Sequence, residues 1–130
     1  MDSRQRVSTG TPWEKSVGYS RAIRVGDSVF VSGTVASDET GAVVAPGDPG
    51  EQSRYILAKI ERALREAGAT LADVVRTRMF VTDMEDAKAV GDAHCAVFGE
   101  IRPASTMVEV RRLAHPEHLV EIEVDAIVGG

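Results

Sequence analysis

A chain of 130 residues, 43% hydrophobic and 27% charged, has the makeup of one ordinary globular domain, and no tract is polar or repetitive enough for long-range disorder or a repeat array. Its net charge of −5 opposes the counterion release behind most nonspecific nucleic-acid binding, so a small molecule or a protein is the expected partner rather than nucleic acid. No run approaches the roughly 18 apolar residues of a membrane span, the first residues hold no secretory apolar stretch, and the lone Cys95 excludes an internal disulfide or a CxxC zinc site; the expected location is cytoplasmic.

Residues 1–16 are polar and punctuated by Gly, Thr and Pro, with Trp13 as their large apolar group. They read as an extended arm ahead of one domain over 17–130. Ala22–Val25 and Ser28–Gly33 flank Gly26-Asp27 and predict a hairpin with a tight turn. The Gly, Pro and Asp content of 36–50 predicts a loop. Asp48-Pro49-Gly50-Glu51 then reads as a helix start, with Asp48 as cap and Pro49 at the first helical position. Ile56, Ile60, Ala63, Leu64 and Ala67 form the apolar stripe of that helix, which Gly68 can end.

A short capped turn at Thr70–Asp73 leads into a strand over 74–81, where Val75, Thr77, Met79 and Val81 alternate with Arg76, Arg78 and Phe80. Asp83 caps a second helix, expected over 84–98. Two strands follow, 105–113 and 119–128; in the last, Val120, Ile122, Val124 and Ala126 alternate with Glu121, Glu123 and Asp125. The order ββαβαββ predicts an α+β fold, a sheet with two helices on one face.

Parity assigns the other face Arg76, Arg78, Phe80, Ser105, Met107, Glu109, Arg111 and the acidic side of the last strand. Two readings stand: a solvated face laced with weak ion pairs, or a subunit interface enclosing polar clefts, since Phe80 and Met107 suit open solvent poorly. His115-Pro116-Glu117-His118 carries ligand-type residues, but Pro116 removes helical spacing and no metal site is expected.

The succession Gly18-Tyr19-Ser20-Arg21-Ala22, Val31-Ser32-Gly33-Thr34, Ala67-Gly68-Ala69, Phe80-Val81-Thr82-Asp83, Pro103-Ala104-Ser105, Val108-Glu109-Val110 and Val120-Glu121-Ile122-Glu123 resembles the Rid (reactive intermediate deaminase, YjgF-type) family over about 17–128. The resemblance implies a chorismate-mutase-like fold, a homotrimeric barrel with clefts between subunits, and cofactor-independent hydrolysis of imines or enamines such as 2-aminoacrylate. It implies that Glu121 positions the attacking water, that Tyr19, Ser32 and Gly33 line the cleft, and that an arginine after Pro-Ala binds the substrate carboxylate. Here Ser105 stands in place of that arginine.

A serine offers one neutral hydrogen bond where a guanidinium offers a charged fork, which would weaken carboxylate binding by about 2–4 kcal/mol. The expected substrate-binding set is therefore Tyr19, Ser32, Gly33, Ser105 and Met107, with Arg78, Arg111 or Arg102 as replacement cations. The expected function is an imine or enamine deaminase-like hydrolase with a non-standard substrate. The alternatives are a non-catalytic trimeric small-molecule-binding protein and, behind it, an endoribonuclease or chaperone-like protein.

Overall fold

In a computed structural model that describes residues 3–129, the elements in chain order are β1 (Gln5–Val7), α1 (Pro12–Val17), β2 (Ala22–Val25), β3 (Ser28–Thr34), α2 (Pro49–Glu66), β4 (Val74–Val81), α3 (Ala87–Phe98), β5 (Ala104–Glu109) and β6 (Val120–Ile127), with single 3-10 turns ahead of β4 and α3. The six strands form one sheet in the order β1-β2-β3-β6-β4-β5. Neighbours are antiparallel except β4 and β5, which run parallel. The chain is thus an α+β fold.

The Asp48 carboxylate accepts the Glu51 N–H at 3.0 Å, fixing the start of α2 at the expected cap. Ile56, Ile60, Ala63, Leu64 and Ala67 are all buried. They meet Val29 and Val31 of β3, Val81 of β4 and Val120, Ile122 and Val124 of β6 in one core that Phe98 closes from α3. Asp83 does cap, but it caps the 3-10 turn Met84–Asp86, and regular helix begins only at Ala87.

Several expectations change. Within 1–16, β1 adds a strand beside β2, and Pro12–Val17 is helical rather than extended. The Glu14 carboxylate organises this segment, accepting hydrogen bonds from the Ser8, Thr9 and Thr11 hydroxyls and the Thr9 amide. Burial raises the Glu14 pKa, but these bonds outweigh it and the net shift is downward. In β4 the core face carries Val74, Thr77, Met79 and Val81, and Val75 is exposed. The cause is a bulge: Val74 pairs with Ala126 and Arg76 with Asp125, leaving Val75 without an opposite residue.

The largest correction concerns β5. Its parallel register sets Ser105 beside Thr77 and Met107 beside Met79, so both lie on the helix-covered face rather than with Arg78 and Glu121. Ser105 Oγ is 2.7 Å from Thr77 Oγ1, which is 2.9 Å from His94 Nε2 on α3. Met107 packs against the core.

Candidate functional site

The opposite face opens, at the end near α1, into a cleft of about 630 Å³ lined by Trp13, Val17, Tyr19, Arg21, Ser32, Gly33, Val35, Gly41, Ala114, His115, His118 and Glu121. Its apolar walls come from α1, held in place by the Glu14 hydrogen bonds, and from the loop before β6. Gln52, fully buried on α2, anchors that loop by donating to Glu117 O at 2.9 Å and accepting from Leu119 N at 2.9 Å.

A second bulge shapes the floor. Val31 pairs with Val124 and Thr34 with Ile122, so Ser32 and Gly33 together oppose Glu123 alone. This brings Gly33 against the side chain of Glu121; a Cβ at Gly33 would lie 3.1 Å from Glu121 Cδ. Only glycine leaves room for the carboxylate there. Ser32 lines the cleft too, but its hydroxyl donates to Ser20 O at 2.7 Å.

Glu121 is half-buried and makes no hydrogen bond among the described residues. Burial pushes its pKa up, Glu123 adds to the rise and Arg21 opposes it. The site therefore holds a carboxyl group that keeps its proton more readily than an exposed glutamate. Tyr19 is shifted upward as well, by burial, with Arg21 partly offsetting; the Arg21 guanidinium stands 5.6 Å from the Tyr19 ring centroid. His118 is buried, its Nε2 2.8 Å from Ser37 Oγ, and burial, His115 and Lys59 hold it below the usual histidine range.

Of the residues singled out in the sequence, Tyr19, Ser32, Gly33 and Glu121 come together in this cleft. Ser105 and Met107 lie on the other side of the sheet, on a strand two positions from β6. Arg78 stands between Glu123 and Asp125, at 3.4 and 3.3 Å, as a structural ion-pair partner. Arg111 and Arg102 are exposed outside the strands.

The cleft also holds Trp13, Arg21 and His118, which the sequence reading named without placing them in the cleft. Trp13 had a legible signal, since Thr11-Pro12-Trp13-Glu14 has the Thr-x-x-Glu pattern of a helix start with Pro at the first position. His118 and Arg21 had none, because their placement depends on the Gln52 anchor and on the β2–β3 pairing.

The family model described as Endoribonuclease L-PSP matches residues 11–128. The chain belongs to the YjgF/Rid family. Among relatives in this family, an uncharacterised protein of Streptomyces coelicolor is 37% identical over 125 residues, covering 96% of this chain and 92% of that one. The 3-aminoacrylate deaminase RutC of Acinetobacter baylyi is 36% identical over 104 residues, covering 80% of this chain and 82% of RutC. Among solved structures, Rv2704 of Mycobacterium tuberculosis, a member of the YjgF/YER057c/UK114 family, superposes with a TM-score of 0.89 at 51% identity, covering 97% of this chain and all of the other.

Proposed function

We propose that this protein is a cofactor-independent hydrolase of small imines or enamines, acting in the cleft around Glu121. The observation that carries the reading is the Glu121 carboxyl: unbonded, shifted toward its protonated form and pressed against Gly33 in a cleft large enough for a small molecule. The Rid relative named 3-aminoacrylate deaminase supports the choice of reaction.

The chemistry follows from one group that can both give and take a proton. Protonated Glu121 delivers its proton to the enamine carbon and leaves an iminium. The resulting carboxylate then accepts a proton from water as the oxygen attacks the C=N carbon. Glu121 then passes its proton to the carbinolamine nitrogen, the C–N bond breaks as the hydroxyl oxygen forms the C=O bond and returns its proton to the Glu121 carboxylate, and ammonia leaves. Trp13, Val17 and Val35 give an apolar wall for the substrate chain.

The active unit in this reading is a cytoplasmic homotrimer. Support comes from the sheet face away from α2 and α3, where Phe30, Val108 and Ile127 are exposed, and from the unpaired outer edge of β5, features that association would cover. In a trimer the exposed Ser105 or Arg111 of a neighbouring subunit can approach this cleft.

The test is release of ammonia from 3-aminoacrylate and 2-aminoacrylate generated in situ by a partner enzyme. Acceleration over the buffer rate supports the hydrolase. No acceleration with either compound, together with ligand-induced stabilisation of the fold, would assign the chain to non-catalytic binding instead.

A further inference from the structure

Among the described residues, two buried side-chain nitrogens lack any hydrogen-bond partner, Arg21 Nε and His118 Nδ1. Both belong to residues that line the cleft. Arg21 carries the stronger chemical signal, because a guanidinium cannot shed its proton to relieve burial. It is 4% exposed. Its Nη2 donates to Gly33 O at 2.7 Å, while Nε and Nη1 have no acceptor among the described residues.

No carboxylate among the described residues lies within ion-pair distance of Arg21. The Glu14 carboxylate is occupied by four donors, and Glu121 acts on Arg21 only at longer range, across Gly33. Two other arginines differ. Arg78 is held by two acidic groups, and Arg24 donates to Gly26 O and Ala67 O. A guanidinium with its Nε buried and unpaired is unfavourable unless an acceptor arrives to complete it.

We propose that Arg21 is the anion anchor of the cleft, holding the carboxylate of a small ligand beside Glu121. This rests on the hydrolase reading only in taking the ligand to be a small organic molecule. The Gly33 contact pins the guanidinium so that its free nitrogens present a preformed site, and the Tyr19 ring stacks near it. The burial that raises the Glu121 pKa lessens its repulsion of an incoming anion. Arg21 lies just ahead of β2, eighty-four positions before Ser105 in the chain, and gives the cleft a charged partner for a carboxylate.

The experiment titrates the full-length protein with butyrate and with its neutral isostere butyramide, by calorimetry and by NMR of the Arg21 Nε–Hε resonance. Butyrate is expected to shift that resonance and to bind at least about tenfold tighter than the amide. R21Q is expected to equalise the two probes, and R21K, which keeps charge without the fork, to retain only part of the preference. Should R21Q fail to fold, the unmutated resonance and R21K decide the matter. An unmoved resonance at saturating butyrate, or an R21K or R21Q variant with the full preference, overturns the proposal.

The two readings fail separately. Enamine hydrolysis that is indifferent to a substrate carboxylate sinks the anchor and leaves the hydrolase. Butyrate binding at Arg21 without hydrolysis of any enamine does the reverse.

Discussion

Gly33 and Glu121 are coupled by space rather than by a bond. The carboxylate lies where a Cβ at position 33 would be, and the Gly33 carbonyl in turn orients Arg21. Gly33→Ala is therefore expected to push the Glu121 side chain off its position while the core, which lies on the other face, stays intact. Enamine turnover should fall by roughly ten- to a hundredfold, with little change in the thermal midpoint; steady-state rates beside thermal unfolding check this. Position 33 was singled out by resemblance alone, since nothing in the alternation of 28–33 marks a bulge. Position 105 shows the converse limit. Alternation says that Ser105 and Met107 share a face, but which face depends on register, and only the pairing of Thr77 with Ser105 decides it. Every residue of β5 but Met107 is exposed, which removes the hydrophobic pattern that could have revealed it.

The elements differ in how far local sequence determines them. Helix α2 is legible end to end, because an Asp cap, a Pro at the first position and an apolar stripe at helical spacing agree. Strand β1 and helix α1 are less so: three residues of strand carry no periodicity, and α1 depends on side-chain hydrogen bonds from Ser8, Thr9 and Thr11 to Glu14 that no apolar spacing marks. The loop that carries His115 and His118 is the extreme case, because its anchor, Gln52, sits sixty-five positions away from Glu117. A buried glutamine within an apolar stripe is a sequence signal only once the stripe is known to be covered. Gln52→Leu would leave Leu119 N–H and Glu117 C=O without partners, and about 1–3 kcal/mol of stability is expected to go with them. Urea unfolding measures that loss, and turnover should drop as well because the loop forms one wall of the cleft.

For the whole molecule, acid should be the vulnerable direction. His94 and His118 are held below the ordinary histidine range, chiefly by burial. As pH falls through about 6.5 the unfolded chain takes up protons that the folded one refuses, so stability drops from there toward the lowered folded values. Glu14 adds a second loss at lower pH, since its folded pKa lies below the unfolded one. Glu121 has the opposite sign: its folded pKa is raised, so its ionisation penalises the fold as pH rises through the carboxylate range. The thermal midpoint measured from about pH 8 to pH 5 should therefore decline, and replacing His118 by Asn should flatten part of the decline. No helix among the described residues is long and apolar enough to cross a membrane.

The sign of the Glu121 shift also yields the most direct test of the account, because a catalytic carboxyl held against its preferred ionisation is a liability to the fold. Glu121→Gln keeps the shape and removes the proton that moves. The measurement is the rate of ammonia release from an enamine by this variant and by the unmutated protein, with both thermal midpoints taken at about pH 7.5. The account predicts a rate at least about a hundredfold lower in a variant whose midpoint is equal or higher. A Glu121→Gln protein that hydrolyses the enamine at the original rate would contradict it.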